Sequence, residues 1–266
     1  MRFAFVLNAL TALAGSVAFL AAQTPDTVFL EDLTWVEVRD ALNAGTTTII
    51  IPTGGTEQNG PHMVLGKHNY LVKHKAGEIA KRLGKALVAP VVAYVPEGEI
   101  DPPTGHMRFP GTITTPPDVF AKVLEYAARS FKQHGFRDIA FLGDSGGNQA
   151  SQKDVAELLN REWASTPVRV HHLSDYYPGR GDEWVKEQGL PEEVVGGHAS
   201  IHDTSSLLVL NPSMLRMSKA GPGKSDDGSG VVGNPARSTV EYGKQILEMQ
   251  IADATRQLRT LRESKR

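Results

Sequence analysis

Apolar and polar positions alternate along this chain in a way that predicts strands and helices in turn. Short apolar runs predict strands at residues 47–51, 139–142 and 168–173, and the apolar run at 87–95, which Pro90 interrupts, predicts an extended strand plus loop. Apolar residues at three-to-four spacing predict helices at residues 31–44, 70–83, 118–134, 149–163 and 238–262. Strands that alternate with helices favour a parallel sheet covered on both faces. We therefore predict an α/β fold, three-layer α/β/α with a mostly parallel central sheet.

Two polar clusters follow predicted strands directly, at residues 53–68 and 143–148. In sheets of this kind, ligands bind beyond the carboxyl ends of the strands. The Pro/Gly-rich stretch at residues 96–117 is long enough to suggest a functional loop. These three segments are the first places to look for chemistry.

The N-terminal segment is typical of a secretory signal. Met1 and Arg2 precede an uncharged run that ends in small residues, which predicts a signal peptide at residues 1–22 with cleavage near Ala22. The alternative is an uncleaved membrane anchor, since about 20 uncharged residues can span a bilayer. We expect a single exported domain at residues 23–266, periplasmic or secreted, with no stable membrane partner after cleavage.

Charge and cysteine content exclude several classes of function. The sequence has 28 Lys and Arg against 30 Asp and Glu, and this balance gives no general electrostatic reason to bind nucleic acid. It contains no cysteine, which excludes disulfides, thiolate metal sites and cysteine nucleophiles. Any metal must therefore rest on histidine, aspartate, glutamate or water.

The cluster after the first predicted strand offers a carboxylate and two imidazoles within twelve residues, Glu57, His62 and His68. Such a set suits a divalent ion that polarises a carbonyl or lowers the pKa of a bound water. The spacing alone is equally compatible with a polar surface loop.

Four segments, taken in order, resemble the creatininase family of metal-dependent amidohydrolases. They read TEQNGPHMVLGKH at residues 56–68, GHMRFPGTI at 105–113, GDSGGN at 143–148 and HASIHDTS at 198–205. The resemblance implies an α/β/α fold, a metal site and hydrolysis of a carbon–nitrogen bond in a small amide or lactam. It also implies a homo-oligomer.

The resemblance assigns carboxylate ligands to Glu57 and Asp203, and it places His68 where the family has an aspartate that bridges two metals. A neutral imidazole there lacks both the negative charge and the second oxygen that a bridge requires. We therefore predict one ion, zinc or manganese, held by Glu57, His68 and Asp203 with Asp144 or water as a further ligand.

The resemblance also suggests catalytic and substrate-binding residues. His198 matches a histidine placed to pass a proton to the leaving nitrogen, a task that suits an imidazole with a pKa of ~6.5. Asn59 and Ser145 stand where the family has histidines. Lys67 is a candidate to neutralise Glu57 or an anionic substrate, but we expect it to be solvated. The predicted substrate-binding residues are Asn59, His62, His106 and Trp184. Trp184, like Tyr176 and Tyr177, comes shortly before the last segment and either lines a substrate pocket or packs in the core.

A rival interpretation comes from the turn after the predicted strand 139–142. Residues 143–147 match Gly-x-Ser-x-Gly between a strand and a helix, the setting of a nucleophile elbow. Ser145 is then the nucleophile beside Asp144, with Asp175 or Asp182 and His198 or His202 completing a triad. A third interpretation is an exported binding protein that has lost catalysis with the missing histidines.

Overall fold

The computed structural model describes residues 26–264 and contains a four-stranded sheet. The strands are β1 (Thr48–Thr53), β2 (Ala86–Val88), β3 (Asp138–Gly143) and β4 (Arg169–His172). All of them are parallel, in the order β2-β1-β3-β4. The predicted parallel sheet is thereby confirmed. The predicted signal peptide at residues 1–22 lies outside the described residues.

Helices cover both faces of the sheet. They are α1 (Trp35–Asn43), α2 (Lys67–Leu83), α3 (Pro117–His134), α4 (Gln149–Glu162), α5 (Gly181–Glu187), α6 (Glu192–Val195), α7 (Ile201–Leu210) and α8 (Val240–Glu263). Helix α1 begins at a capping box in which Thr34 and Glu37 satisfy each other's backbone N–H groups. In residues 26–264, no helix is long and apolar enough to cross a bilayer.

The strands divide the core into two apolar layers, because successive side chains of a strand point to opposite faces. Ile50 and Leu142 pack on the face covered by α2, α7 and α8. Ile49 and Phe141 pack on the face covered by α1, α3 and α4. All four side chains are fully buried, each contributing about 1.5–3 kcal/mol of burial free energy. The three-layer α/β/α prediction is therefore confirmed.

The carboxyl ends of β1 and β3 lie side by side, with Thr53 paired to Gly143. The buried amide of Asn148 donates hydrogen bonds to the backbone oxygens of Thr53 and Gly54 and to the Thr53 hydroxyl. This contact fixes the turn after β3 against the loop after β1. The two polar clusters of the sequence are thus brought to one edge of the sheet.

The apolar run at residues 87–95 begins in a short strand and continues as a loop, as predicted. Only Ala86–Val88 pairs as a strand, because Pro90 lacks the N–H that a continued ladder requires. The chain then runs through residues 96–116 as a loop with one 3-10 turn at Gly105–Arg108. This loop lies beside the polar clusters.

Candidate active site

A cavity of about 1390 Å³ lies beyond the carboxyl ends of the strands. Its wall is formed by the loop after β1, the start of α2, the loop at residues 96–117, the turn after β3 and the segment that leads into α7. This is the edge at which parallel α/β sheets bind ligands. Most of the titratable residues singled out in the sequence line this cavity.

Glu57 occupies the centre of the site and is 2% exposed. Its Oε2 lies 3.2 Å from Nε2 of His106. Its Oε1 lies 3.0 Å from Nε2 of His68 and 3.8 Å from Nδ1 of His198. The loop after β1 therefore presents one carboxylate to three imidazoles that come from separate parts of the chain.

Glu57, His106 and His198 form a set that can hold a metal ion, since one ligand atom from each lies within 4.8 Å of the others. Burial lowers the pKa of His106. Burial and the charge of Lys67 lower the pKa of His198 to about 4. Both imidazoles are therefore neutral at pH 7, as metal ligation requires, and two nitrogens with one carboxylate suit zinc or manganese. The residues present fit one divalent ion.

Gln58 holds both of these histidines from the side opposite Glu57. Its Nε2 lies 3.1 Å from Nδ1 of His106 and 2.9 Å from Nε2 of His198. Its Oε1 accepts a hydrogen bond from the Gly60 N–H at 2.9 Å, so the amide hydrogens face the two rings. In this arrangement His106 carries its own proton on Nε2, towards Glu57.

Lys67 is buried, with 1% of its surface exposed. Its Nζ donates to Oδ2 of Asp203 at 2.6 Å and lies 3.7 Å from Oε1 of Glu57. Burial lowers the pKa of Lys67, but Asp203 and Glu57 outweigh it and raise the pKa above its usual value. The solvated lysine expected from the sequence is wrong, because both carboxylates lie beside the start of α2.

Asp203 also accepts a hydrogen bond from the N–H of Ala199 at 3.0 Å. Ala199 has a φ of 49°, a left-handed conformation that is unfavourable for residues with a Cβ atom. Asp203 therefore holds the turn that carries the neighbouring His198. Burial would raise the pKa of Asp203, but Lys67 keeps it well below its ordinary value.

Asp144 lies at the inner end of the site, in contact with three donors. His68 Nδ1 is 2.9 Å from its Oδ2, and Lys75 Nζ is 3.0 Å from its Oδ1, which also accepts from the hydroxyl of Tyr176. Burial raises the pKa of Asp144, but Lys75 and His68 hold it far below the usual range. Burial and Lys67 lower the pKa of His68, whereas Glu57 and Asp144 bring it above the usual value.

A second buried glutamate, Glu97, is hydrogen-bonded to Glu57. Burial and the Glu57 charge raise the pKa of Glu97 to about 10. Burial would also raise the pKa of Glu57, but His68 and Lys67 bring it well below its usual value. At neutral pH the pair therefore consists of an ionised Glu57 and a protonated Glu97.

The structure brings together seven of the residues singled out as catalytic, metal-binding or substrate-binding. The cavity is lined by Glu57, His68, His106, Asp144, Ser145, His198 and Asp203. Within this group, the set that can hold a metal contains Glu57 but not His68 or Asp203. Both ring nitrogens of His68 already contact carboxylates, and Asp203 is paired with Lys67.

The other three predicted substrate-binding residues lie away from the cavity wall. The amide of Asn59 donates to the backbone oxygens of Glu57, Val64 and Leu65. His62 is fully buried, and its Nε2 lies 3.0 Å from the hydroxyl of Thr204. Trp184 packs edge-on against Tyr242, with ring centroids 5.9 Å apart. Their contacts are those of residues that stabilise the surrounding loops and helices.

Ser145 lines the cavity without the contacts of an activated nucleophile. Its backbone is extended, with φ −127° and ψ 151°, whereas a nucleophile elbow is a strained turn. Within residues 26–264, neither a histidine nor a carboxylate is hydrogen-bonded to its hydroxyl. His202 does pair with Asp182 at 2.9 Å, and both line the same cavity.

Three residues of the site were not found from the sequence. They are Gln58, Lys75 and Glu97. Gln58 lies between Glu57 and Asn59, and Glu97 is an acidic residue in the loop after a predicted strand, which is a signal that could have found it. Lys75 gave no such signal, because its partner Asp144 is distant in sequence. Tyr176, a candidate for a pocket wall, instead donates a hydrogen bond to Asp144.

The comparisons with known proteins agree with this fold. A sequence model described as creatinine amidohydrolase matches residues 31–258. The chain belongs to the creatininase family. It is 27% identical to the creatinine amidohydrolase of Pseudomonas putida, over 72% of this chain and 75% of that one. It is also 27% identical to the mycofactocin precursor peptide peptidase of Mycolicibacterium smegmatis, over 77% and 81% of the two chains.

Solved creatininases share the fold. A crystal structure of creatinine amidohydrolase superposes with a TM-score of 0.76 at 22% identity, covering 91% of this chain and all of the other. A creatininase described as the Mn form superposes at 0.74, over 89% of this chain and 99% of its own, with 22% identity. A variant described as Zn-Zn type superposes at 0.75, over 90% and 100%, with 21% identity. The family resemblance inferred from the four segments is confirmed.

Proposed function

We propose that this protein hydrolyses a carbon–nitrogen bond in a small amide or lactam, using one divalent ion, zinc or manganese, held by Glu57, His106 and His198. The observation that carries the proposal is the convergence of these three ligands at the edge of a large cavity. Creatinine and a precursor peptide are the substrates named for two relatives, and both contain carbon–nitrogen bonds of this kind.

The residues of the chain prepare the site for such an ion. When bound there, the ion would polarise the substrate carbonyl and lower the pKa of a coordinated water. Among the three proposed ligands, Glu57 supplies the negative charge. The adjacent Glu97 adds no charge, because it keeps its proton. Gln58 holds the rings of His106 and His198 in place from behind. These contacts orient the two rings, and the proton that they leave on Nε2 of His106 has to move when an ion binds there.

This proposal gives His198 a different role from the proton transfer expected from the resemblance. Its Nδ1 faces Glu57, and its Nε2 contacts the side chain and backbone of Gln58. Nδ1 lies 3.8 Å from Oε1 of Glu57, too far for a hydrogen bond but close enough for both atoms to bind one ion, which favours a ligand over a group that exchanges protons with substrate.

Metal binding tests the proposal directly. We expect the purified protein to bind one zinc or manganese ion per chain by elemental analysis and titration calorimetry. His106→Ala and His198→Ala should each weaken binding at least 10-fold. The matched control is His134→Ala, an exposed histidine at the end of α3. Turnover of a panel of amides and lactams should stop with a chelator and return with the ion. A wild type that binds neither ion contradicts the proposal.

A serine hydrolase is the second candidate, favoured by the His202–Asp182 pair that shares the cavity with Ser145. Labelling with a fluorophosphonate, compared between the wild type and Ser145→Ala, separates the two mechanisms. Labelling that is lost in the variant supports the serine enzyme, and no labelling together with chelator-sensitive turnover supports the metal enzyme. Binding of an amide without any turnover would support the third interpretation, a protein that binds but does not react.

We also propose that the protein is exported by cleavage near Ala22 and assembles as a homo-oligomer. The uncharged run at the N-terminus supports export, and the family resemblance supports assembly. Expression of the full chain followed by cell fractionation and N-terminal sequencing tests the first point. A mature chain that begins at Met1 and stays with the membrane would favour the uncleaved anchor. Light scattering tests the second point, and a monomer would contradict it.

A further inference from the structure

Lys67 places a positive charge between two carboxylates of the site. Its ammonium lies 2.6 Å from Oδ2 of Asp203 and 3.7 Å from Oε1 of Glu57, and the side chain is almost fully buried. An unpaired ammonium is very unfavourable in such surroundings, whereas one between two carboxylates is stabilised. The position that joins these carboxylates is therefore filled by a group of the chain.

A divalent ion at the same place would compete with this ammonium. Metal–oxygen bonds to carboxylates are about 2.0–2.2 Å long, so an ion that joins Glu57 and Asp203 must lie between the two oxygens that Lys67 already contacts. It would bring a second positive charge to within contact distance of the ammonium. An ion and the Lys67 ammonium cannot share this position.

Other carboxylates of the site are also paired with basic side chains. His68, where the family has a bridging aspartate, reaches Glu57 with Nε2 and Asp144 with Nδ1. Lys75 lies 3.0 Å from Asp144. The buried carboxylates Glu57 and Asp144 and the partly buried Asp203 are thus matched by two ammonium groups and an imidazole. The residues present do not fit a two-ion centre, and an ion is left with the part of Glu57 that faces His106 and His198.

We propose that the Lys67 ammonium replaces a second divalent ion, holding Glu57 and Asp203 together and limiting the site to one ion. Through Asp203 it also supports the left-handed Ala199 and the turn that carries His198. The inference concerns the site of the proposed metal-dependent function and rests on that proposal for the ion at His106.

The test measures the number of ions gained when the ammonium is removed. The full chain and Lys67→Met are dialysed against manganese or zinc, and bound ions per chain are counted by elemental analysis. We expect Lys67→Met to bind one ion more than the wild type and to gain a larger rise in Tm on metal addition. Lys67→Arg keeps a charge and should gain none. Lys81→Met, an exposed lysine of the same helix, is the matched control.

If Lys67→Met does not fold, the double variant Lys67→Thr with His68→Asp removes the ammonium and restores the aspartate that the family has at position 68. Its gain of one ion supports the inference in the same way. Folded variants that bind the same number of ions as the wild type overturn it, as does a wild type with two tightly held ions. If the wild type binds no ion and the variant binds one ion, the result contradicts only the proposed function. The two failures are therefore distinguishable.

Discussion

The ammonium of Lys75 lies 3.0 Å from Oδ1 of Asp144, and both side chains are buried to within a few per cent. Lys75 comes from the middle of α2, and Asp144 follows the last residue of β3. The pair therefore joins a helix to the end of a central strand beneath the cavity. Removal of either partner leaves the other charge without this counterpart in a buried position.

We predict that Lys75→Met lowers the free energy of unfolding by about 3 kcal/mol, because breaking a buried ion pair leaves an uncompensated charge. Urea unfolding followed by circular dichroism measures the change. Lys81→Met, on the exposed side of the same helix, should change stability by less than about 0.5 kcal/mol. The double variant with Asp144→Asn should recover part of the loss. Equal effects of the two lysine variants would contradict the importance of burial.

We predict that acid lowers the free energy of unfolding through protonation of Asp144. Lys75 and His68 hold the pKa of Asp144 below its ordinary value despite burial, so the unfolded chain takes up a proton at a higher pH than the folded chain. The stabilisation is present above about pH 4 and is lost as the pH falls below it, by about 1.4 kcal/mol per pH unit. Unfolding measured from pH 6 to pH 3 should show the wild type approaching Asp144→Asn. A constant difference between them would exclude this explanation.

Gln58 offers a way to strengthen the metal site. Its amide hydrogens face His106 and keep the ring proton on the side of Glu57, where an ion needs a free lone pair. Gln58→Glu would accept a hydrogen bond from Nδ1 instead and still accept from the Gly60 N–H. We predict about 10-fold tighter zinc binding in titration calorimetry, which is within the range of effects on metal affinity of residues that hydrogen-bond to metal ligands. Gln188→Glu adds the same charge on the surface and should have no effect. Weaker binding by Gln58→Glu would contradict the orientation of the amide.

The proton on Glu97 should be visible at neutral pH. Burial and Glu57 raise the pKa of Glu97 to about 10, so its side chain is a neutral carboxylic acid. Infrared spectroscopy should detect the carbonyl band of a protonated carboxyl at pH 7, and this band should be absent from Glu97→Gln. That substitution keeps the shape and neutrality and should cost less than about 1 kcal/mol of stability. Glu99→Gln, at an exposed residue of the same loop, should leave the band unchanged.

The sequence was informative where the signal is local. The apolar runs predicted β1 and β3 to within one or two residues, and the position of polar residues directly after them predicted the edge at which the cavity lies. Helices α5, α6 and α7 were not predicted. The first two are short, and α7 has polar residues at positions 202–206 and apolar ones at 207–210, without helical periodicity.

Contacts between distant residues could not be predicted in this way. Lys67 was expected in solvent, but its partner Asp203 is 136 residues further along the chain. His106 was expected to contact substrate, whereas the loop at residues 96–117 brings it against Glu57. In both cases the loop conformation decides the pairing, and residue type and spacing carry no information about it.

The ammonium of Lys67 differs from a dissociable cation because its occupancy does not depend on the concentration of metal. A bound ion obeys mass action, and its occupancy falls when the surrounding concentration drops below its dissociation constant. A lysine side chain is present once in every molecule, at any dilution. The contact between Glu57, Lys67 and Asp203 therefore stays formed at low metal concentration. Only the binding of the ion at His106 and His198 depends on that concentration.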